Sequence, residues 1–418
     1  MPEQHFPHRR FLLLTNTILS SQYGINNSKM RLKLESTIPR FFKAPKESFF
    51  LFGPRGTGKS TWLRALMKNA LWIDLLDPEE LRSYSARPER LRELVLGNRD
   101  KRIIVIDEIQ KVPDLLSVVH LLIEKKQGWQ FILTGSSSRK LKRTGVDLLA
   151  GRVLRLTLHP FMAAELGKKF VFEKSLSSGL LPLVVSSLQP ATVLRTYSAL
   201  YMREEVQMEG IVRNISGFSR FLEAISFSHG SVLNISNVAR DCEIERKVIE
   251  GYISILEDLL LSFRIPVFTK RAKRATAAHP KFYYFDTGVF RSLRPAGPLD
   301  RPEEIEGSAL EGLLAQHLVA WNAYRGDKNR VYYWRTRSGV EVDFIVYGEE
   351  VFWAVEVKNS SRIRNEDLNP LRAFKDEYPQ CKAFLLYRGK ERFQRNGILC
   401  MPCEEFLMQL HPEKKTIR

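Results

Sequence analysis

The segment "FFLFGPRGTGKSTWL", residues 49–63, constrains the fold of this chain more than any other feature. Its four leading apolar residues predict a buried strand, its glycines a turn, and the residues after them a helix. Residues 53–60 fit the spacing G-x-x-x-x-G-K-[ST] between that strand and that helix. Backbone N–H groups of such a loop face one centre, and the helix N-terminus adds partial positive charge there. The segment therefore predicts a phosphate-binding loop on an α/β sheet.

The residues of this loop have predicted roles toward a nucleoside triphosphate. The Lys59 ammonium is expected to reach the β- and γ-phosphates and to be catalytic, and the Ser60 hydroxyl is expected to ligate Mg²⁺. We therefore expect ATP and Mg²⁺ as cofactors. The predicted nucleotide-binding residues of the loop are Gly53, Pro54, Arg55, Gly56, Thr57, Gly58, Lys59, Ser60 and Thr61.

The segment "IIVIDEIQ", residues 103–110, supplies the acidic partners of the loop. Asp107 ends a continuous apolar strand, and doubly wound sheets place ligand groups at that end. We predict that Asp107 holds the water shell of Mg²⁺ and that Glu108 polarises the attacking water. With both motifs in one chain, hydrolysis is expected and not binding alone.

Two further positions are candidates for contact with the nucleotide. Thr134 follows the next apolar strand, "WQFIL", where a polar residue serves equally as a γ-phosphate sensor or as ordinary loop chemistry. Arg152 and Arg139 are candidate arginine fingers, and both also suit a solvated surface. A finger that acts on another subunit would require a homo-oligomer with ATP at the subunit boundary.

Strands that are apolar on both faces alternate with helices through the first part of the chain. This alternation predicts a parallel sheet covered on both sides, a nucleotide-binding domain over residues 30–165. Residues 166–275 read as mostly helical and end in a helix-turn-helix and a strand pair, the shape of a winged helix. Residues 276–418 form a third, α/β block. Residues 1–29 are expected to be a loosely ordered extension, with Met30 as an alternative start.

Several segments together resemble AAA-type prokaryotic ATPases that carry a C-terminal PD-(D/E)xK nuclease-like domain of unassigned role. They are "FFLFGPRGTGKSTWL", "RIIVIDEIQKVPDLL", "LTLHPFMAAEL", "KFYYFDTGVFRSL" and "YYWRTRSGVEVDFIV". The resemblance covers nearly everything after Met30. It implies an AAA-type ATPase core, a winged helix and a restriction-endonuclease-like domain, and it implies no single substrate.

The hairpin "GVEVDFIVYGEEVFWAVEVKN", residues 339–359, carries Asp343, Glu356 and Lys358 within apolar strands. Side chains alternate along a strand, so Glu356 and Lys358 share a face. Asp343 joins that face if the connection is a two- or four-residue turn, and it points away if the loop has three or five residues. With an even loop, we expect Asp343 to lie diagonal to Glu356 and to share a cation with it.

Hard oxygen ligands of this kind suit Mg²⁺, which activates water and stabilises charge on a phosphate. The predicted metal ligands are Glu311, Asp343 and Glu356, and Glu341 is a weaker candidate. Glu356 and Lys358 are predicted to be catalytic, with Lys358 orienting the nucleophile. The resemblance to PD-(D/E)xK nucleases implies the same assignment. A decayed centre, or a hairpin in which Lys358 neutralises the carboxylates, fits the pattern as well.

The chain is strongly basic, with Lys+Arg 65 against Asp+Glu 47, a net charge of +18. Such a surplus favours nucleic acid over an acidic membrane surface as partner. We predict DNA-backbone contacts from the basic segment 264–281. Residues 325–337, where aromatic side chains lie among arginines, are a second candidate, although these aromatics also suit the inside of a sheet. The helix near residues 243–258 is acidic, which argues against sequence-specific readout by a winged helix.

Cysteine content and hydropathy bear on the compartment. Four cysteines, Cys242, Cys381, Cys400 and Cys403, are too few for a disulfide framework, so we expect a reducing cytoplasm. No apolar run reaches the 18 residues of a membrane helix.

The leading hypothesis is an ATP-hydrolysing protein that acts on DNA. The alternative is an ATP-dependent switch that binds a protein partner and has an inactive nuclease-like domain, and a transcription regulator is the third.

Overall fold

A five-stranded parallel sheet forms the first part of the structure. This computed structural model describes residues 38–136, 149, 151–202, 206, 214–269, 279–414 and 417, so the predicted extension 1–29 and Arg139 lie outside it. The strands lie in the order β2-β3-β4-β1-β5, and their pairings are parallel. They are β1 (Phe49–Phe52), β2 (Leu71–Asp74), β3 (Ile103–Asp107), β4 (Gln130–Gly135) and β5 (Leu154–Thr157). The predicted α/β fold class is confirmed.

Helices cover this sheet on both faces. They are α1 (Lys59–Leu66), α2 (Pro78–Ala86), α3 (Arg90–Gly97) and α4 (Leu115–Glu124). Phe50 and Phe52 of β1 belong to one apolar cluster, and Phe49 and Leu51 belong to another. Successive side chains of one strand are therefore buried on opposite faces, which is why the strands read as continuous apolar runs.

The middle of the chain is helical and ends in a small antiparallel sheet. Its helices are α5 (Ala163–Leu166), α6 (Phe172–Ser178), α7 (Pro182–Val185), α8 (Pro190–Thr196), α9 (Ile215–Ser226), α10 (Ile235–Cys242) and α11 (Arg246–Asp258). The sheet has the order β6-β8-β7 and consists of β6 (Ser231–Val232), β7 (Ser262–Ile265) and β8 (Lys281–Tyr284). Helix α12 (Thr287–Leu293) follows it. Helices followed by antiparallel strands agree with the pattern read from the sequence, and the winged-helix interpretation stays a prediction.

The last part of the chain contains a six-stranded mixed sheet. Helix α13 (Pro302–Tyr324) precedes it, and the strand order is β13-β14-β12-β11-β10-β9. The strands are β9 (Asn329–Arg335), β10 (Glu341–Gly348), β11 (Phe352–Lys358), β12 (Lys382–Tyr387), β13 (Phe393–Arg395) and β14 (Ile398–Pro402). Helices α14 (Asn369–Glu377) and α15 (Cys403–Gln409) complete this part. Trp321 of α13 stacks on Trp353 of β11, so α13 packs directly on the sheet.

Helix α13 also contacts the segment that follows the parallel sheet. The buried His317 ring accepts a hydrogen bond at Nε2 from the Ala163 N–H, 2.9 Å away. The Tyr324 hydroxyl accepts the His159 N–H and a guanidinium N–H of Arg40. These contacts join the first and last parts of the chain within one compact unit, Arg40–Arg418.

All four cysteines are buried free thiols, which agrees with the expected lack of a disulfide framework. Their sulfurs lie within the packed interior of the middle and last parts of the chain. Over the stretches that the structure describes, no helix has the length and apolar character needed to cross a membrane.

Candidate functional site

The loop between β1 and α1 has the shape of a phosphate cradle. Gly58, at the N-terminus of α1, has φ 85°, in the left-handed region that glycine adopts without strain. A Cβ atom at Gly53 would lie 2.5 Å from the Leu158 carbonyl oxygen, so only glycine fits there. The loop therefore requires glycine at Gly53 and Gly58, and it leads directly into the N-terminus of α1, where the helix adds partial positive charge.

Side chains inside the loop support its backbone. The Thr57 hydroxyl donates to the Pro54 carbonyl at 2.8 Å. The Lys59 ammonium is buried and donates to the Gly53 carbonyl at 2.7 Å and to the Pro54 carbonyl at 3.3 Å. Its Nζ atom thus lies directly against the loop. Ser60, in the first turn of α1, is half-buried at the same end of the helix.

The acidic residues lie beside the loop because of the strand order. Strand β4 pairs with both β1 and β3, so Thr134 of β4 lies between the loop-bearing strand and Asp107, the last residue of β3. The Thr134 hydroxyl donates to Asp107 Oδ1 and accepts the Glu108 N–H at 3.0 Å. One hydroxyl group therefore links both acidic residues, and the structure brings the predicted set together at one edge of the sheet.

Glu108 has an unusual backbone conformation. Its φ is 61°, in the left-handed region that non-glycine residues seldom adopt and that is enriched at functional sites. Its carboxylate accepts a hydrogen bond from Gln110 Nε2, which also donates to Ser136 Oγ at 3.2 Å. A Cβ atom at Gly135 would lie 2.6 Å from Gln110 Oε1, so the glycine makes room for this side chain.

Sequence reasoning missed Gln110 as a residue that positions Glu108. The only signal was its place two residues after Glu108 in "DEIQ". A buried amide is not chemically distinctive in a sequence, because its partner depends on how the chain turns after β3.

The predicted finger Arg152 lies away from the loop of its own chain. It directly precedes Val153 and the first residue of β5, and its guanidinium pairs with Glu124 at the end of α4. Strands β1 and β5 are parallel, and the loop follows the opposite end of β1. Arg152 therefore does not contact this chain's own nucleotide site, and a role toward a neighbouring copy stays a prediction.

The residues of the loop edge fit a nucleoside triphosphate with Mg²⁺. The glycine cradle supplies backbone N–H groups, Lys59 supplies a cation, and Ser60 and Asp107 supply hard oxygen ligands. An ion held in this way takes most of its ligands from phosphates and water. Accordingly, the described part of the chain contains no group of three or more His, Cys, Asp or Glu side chains that suits a metal ion.

The C-terminal hairpin has an even connection. Phe344 pairs with Val355 and Tyr347 with Phe352, which leaves a four-residue connection, residues 348–351. With such an even connection Asp343 is expected on the face of Glu356, and its Oδ2 atom accepts the N–H of the next residue, Val357, at 2.9 Å. The placement of Asp343 diagonal to Glu356 stays a prediction.

Lys281 of β8 lies among the carboxylates of the C-terminal sheet. Its side chain is 2% exposed, and Nζ is 2.6 Å from Glu341 Oε1, 2.9 Å from Glu311 Oε1 and 3.3 Å from Asp343 Oδ1. The predicted DNA-backbone role of Lys281 is wrong for this residue, because its ammonium is buried and already neutralised. We call Glu311, Glu341, Asp343 and Glu356 the acidic cluster.

Burial dominates the electrostatics of this cluster. It raises the pKa of the Glu311 carboxyl to about 7, against the opposing effect of the Lys281 charge. Burial, followed by repulsion from Asp343, also raises the pKa of the Glu356 carboxyl well above its ordinary value. Lys358 Nζ lies 2.6 Å from Glu356 Oε1. Glu356 Oε2 has no hydrogen-bond partner among the residues that the structure describes.

As arranged, the acidic cluster does not fit a divalent ion. Three of its four carboxylates are directed at the ammonium of Lys281, and the described residues contain no group suited to a metal ion here. Of the predicted Mg²⁺ ligands, Glu311 and Asp343 contact the ammonium of Lys281, and Glu356 contacts that of Lys358. No reaction step through a metal follows from this geometry.

Only some residues of the two predicted DNA-contacting segments are both described and exposed. Residues 270–278 lie outside the described ranges, and Arg264 pairs with Glu257 through two hydrogen bonds. In the second segment, Tyr333 and Trp334 are buried in the sheet and cannot stack on bases. The exposed basic residues of that segment are Lys328, Arg330, Arg335 and Arg337.

Comparisons with known proteins agree with the first of these sites. Residues 45–167 match a family model described as an AAA domain. Residues 170–300 and 306–406 match two models described as domains of unknown function. An uncharacterised Mycobacterium tuberculosis protein is 25% identical over 368 residues, 85% of this chain and 80% of that protein. An Arabidopsis thaliana AAA-ATPase is 40% identical over 87 residues, 21% of this chain and 17% of that protein.

Two solved structures align with part of this chain. The Pif1 helicase of Candida albicans aligns with 37% of this chain and 44% of its own, at 16% identity and a TM-score of 0.20. The replication initiator DnaA bound to AMPPCP and single-stranded DNA aligns with 55% of this chain and 85% of its own, at 13% identity and a TM-score of 0.25. At these TM-scores, neither likeness carries a conclusion about function.

Proposed function

We propose that this chain, which carries an AAA-type P-loop ATPase domain, binds and hydrolyses ATP and acts on DNA. One observation carries the hydrolytic part of the proposal. Thr134 lies on β4, which pairs with the strand that precedes the phosphate-binding loop, and its hydroxyl links Asp107 to Glu108. A loop that only bound a nucleotide would have no need of a second acidic residue held in a fixed position.

The roles of the residues follow from where they lie. The loop N–H groups and Lys59 hold the phosphates, and Ser60 and Asp107 hold the Mg²⁺ ion, which neutralises charge on the phosphates when bound. Glu108 orients and polarises the attacking water, and Gln110 fixes its carboxylate. Thr134 senses the γ-phosphate through its bonds to both acidic residues. Hydrolysis then depends on positioning and on fixed charge.

The proposal that DNA is the polyanion bound by this protein depends on charge. The net charge of +18 and the exposed Lys328, Arg330, Arg335 and Arg337 support contacts to a phosphate backbone. Backbone contacts give affinity without sequence specificity. The acidic residues of α11, which include Glu250 and Glu257, argue against base readout by that helix.

A specific observation favours part of the alternative function. Lys281 takes up the centre of the acidic cluster, which supports an inactive nuclease-like domain over a Mg²⁺-dependent nuclease centre. In that case, the nucleotide state of the ATPase domain would govern binding of a protein partner. We propose in addition that the protein works in the cytoplasm as a homo-oligomer, the arrangement in which Arg152 of one copy would face the ATP of the next.

The rate of ATP hydrolysis with single-stranded, duplex and branched DNA tests the proposal. We expect at least one of these DNAs to raise the rate several-fold, with Lys59→Ala as the control for a contaminating ATPase. A rate that no DNA alters would contradict the DNA-acting part and favour the switch. Hydrolysis that Lys59→Ala leaves intact would show that another protein was measured.

A further inference from the structure

Strand β8 carries a charged residue into a pocket that belongs to another sheet. Lys281 lies on the antiparallel sheet of the middle part, yet its ammonium contacts Glu311 of α13 and Glu341 and Asp343 of β10. The Tyr283 hydroxyl, two residues along the same strand, donates to Glu311 Oε1 at 2.6 Å. The strand therefore delivers a cation and a hydroxyl group to one face of the acidic cluster.

The charges of the acidic cluster show why a cation is needed there. The four carboxylates are opposed by the ammonium groups of Lys281 and Lys358 and by the Arg335 guanidinium, 3.7 Å from Glu341. Without Lys281, three carboxylate oxygens that now lie within 2.6–3.3 Å of one point would face one another. Like charges at such separations are costly, and a buried carboxylate needs a partner.

A second observation shows that the lysine ammonium groups do not provide a hydrogen bond for every carboxylate oxygen of the acidic cluster. Glu356 is 4% exposed, and its Oε2 atom lacks a hydrogen-bond partner among the described residues. Asp343 lies beside it, since the Asp343 Oδ2 atom accepts the N–H of the next residue, Val357, at 2.9 Å. An ammonium group can donate only three hydrogen bonds, whereas a divalent cation takes six or more oxygen ligands.

We propose that Lys281 is the resident cation of the acidic cluster and that it competes with a divalent metal ion for the same carboxylates. The cluster then admits Mg²⁺ or Mn²⁺ only when the lysine ammonium is removed. The lysine thus has two effects. It holds Glu311, Glu341 and Asp343 in place, and it prevents a metal ion from binding them. This inference does not depend on ATP hydrolysis.

Binding of Mn²⁺ to the full-length chain, followed by electron paramagnetic resonance of the free ion, tests the inference. We compare the unmodified protein, Lys281→Met, and Lys281→Met combined with Asp343→Asn. Any Mn²⁺ bound at the phosphate-binding loop is the same in all three proteins, so it does not affect the difference in bound Mn²⁺ between them. We expect Lys281→Met to bind one additional ion per chain, at least tenfold more tightly than the unmodified cluster, and the double variant to lose it.

A thermal melt gives a second readout that needs no activity. Mn²⁺ is expected to raise the melting temperature of Lys281→Met by several degrees more than that of the unmodified protein or of Lys281→Arg, which keeps the charge. If Lys281→Met is unfolded in chelator, Mn²⁺ should restore its circular dichroism. Equal Mn²⁺ binding by the unmodified protein and Lys281→Met would overturn the inference. So would a Lys281→Met protein that binds no additional ion or stays unfolded with Mn²⁺.

Discussion

At the scale of single residues, the nucleotide site depends on side chains that hold the acidic pair as much as on the pair itself. Thr134 donates to Asp107 and accepts from Glu108, and Gln110 holds the Glu108 carboxylate. Each removes a degree of freedom from a group that must meet a water molecule at a fixed place. The left-handed backbone of Glu108 makes this support necessary, because an unsupported residue would leave that conformation.

Replacing the Thr134 hydroxyl tests this support. Thr134→Val keeps the shape of the side chain but removes the donor to Asp107 and the acceptor for Glu108. We expect kcat to fall by a factor of about 10–100, which corresponds to about 1.4–2.7 kcal/mol in the barrier, with a smaller change in KM. Thr336→Val, the same change between β9 and β10, is the control. Equal rates for both variants would contradict the role of Thr134.

A buried histidine gives a prediction about pH. Burial lowers the pKa of His317 to about 4, while the unfolded chain keeps its ordinary value of 6.5. Below pH 6.5 the unfolded state takes up a proton that the native state does not bind. Stability is therefore complete above pH 6.5 and is lost as pH falls toward 4, by up to about 3 kcal/mol.

The variant His317→Gln isolates this group, since the glutamine oxygen can still accept the Ala163 N–H. Urea unfolding of both proteins between pH 7.5 and 4 is the measurement. We expect the free energy of unfolding of the original protein to fall relative to that of the variant across this range. Parallel pH profiles would show that His317 does not contribute.

At the scale of elements, β8 and α12 connect the acidic cluster with the phosphate-binding loop. Asp286, between these two elements, accepts hydrogen bonds from the Leu180, Gly288 and Val289 N–H groups. Just beyond Leu180, the Leu183 N–H donates to the Gly56 carbonyl at 3.3 Å. The segment 178–183 is thus fixed to α12 at one end and to the loop at the other.

Gly288→Ala tests the attachment of this segment. The added Cβ atom would lie 2.2 Å from the Ser178 carbonyl oxygen, so the backbone must move. We expect a loss of about 1–3 kcal/mol in the free energy of unfolding and a raised KM for ATP. Gly251→Ala in α11 is the matched control, because its Cβ would meet nothing within 4 Å and alanine favours a helix. A Gly288→Ala protein as stable as this control would contradict the account.

How far the sequence predicted these elements depends on the range of the interactions. The apolar runs of β1, β3 and β4 predicted a parallel sheet because burial on both faces leaves a local pattern. The alternation within the hairpin predicted that Asp343 and Glu356 share a face. The DNA contact predicted for Lys281 was wrong because its partners lie 30–62 residues away. The packing of their elements against β8 leaves no periodic pattern in the sequence. Gln110 was missed although Glu108 is only two residues away, because the turn after β3 that brings their side chains together leaves no local sequence pattern.

At the scale of the whole molecule, charge is the property that most limits the choice of partner. The excess of 65 basic over 47 acidic residues favours binding of a polyanion, yet part of the basic set is used internally. Lys281 neutralises carboxylates, Arg264 pairs with Glu257, and Arg325 pairs with Glu350. Arg335 of β9 is exposed but lies 3.7 Å from Glu341, so Lys328, Arg330 and Arg337 are the basic side chains that we assign to DNA in that region.

Salt dependence tests the proposed DNA contact. We expect the affinity for duplex DNA to fall at least tenfold between about 50 and 200 mM salt, because bound phosphates release counterions. Arg330→Gln combined with Arg337→Gln should weaken binding and reduce the salt slope. Arg87→Gln combined with Arg246→Gln, elsewhere on the surface and in ion pairs, is the control for net charge. An affinity that salt leaves unchanged would contradict a backbone contact.

Hydrolysis of ATP by Glu108→Gln tests whether the Glu108 carboxylate activates water, since this change removes the charge while keeping the size of the side chain and its partner Gln110. In single-turnover measurements beside a binding titration, we predict that the variant binds ATP within a few-fold of the original protein. Its hydrolysis rate should fall at least 100-fold, about 2.7 kcal/mol in the barrier. A variant that hydrolyses ATP at the original rate would contradict the account, because Glu108 would then have no part in activating water.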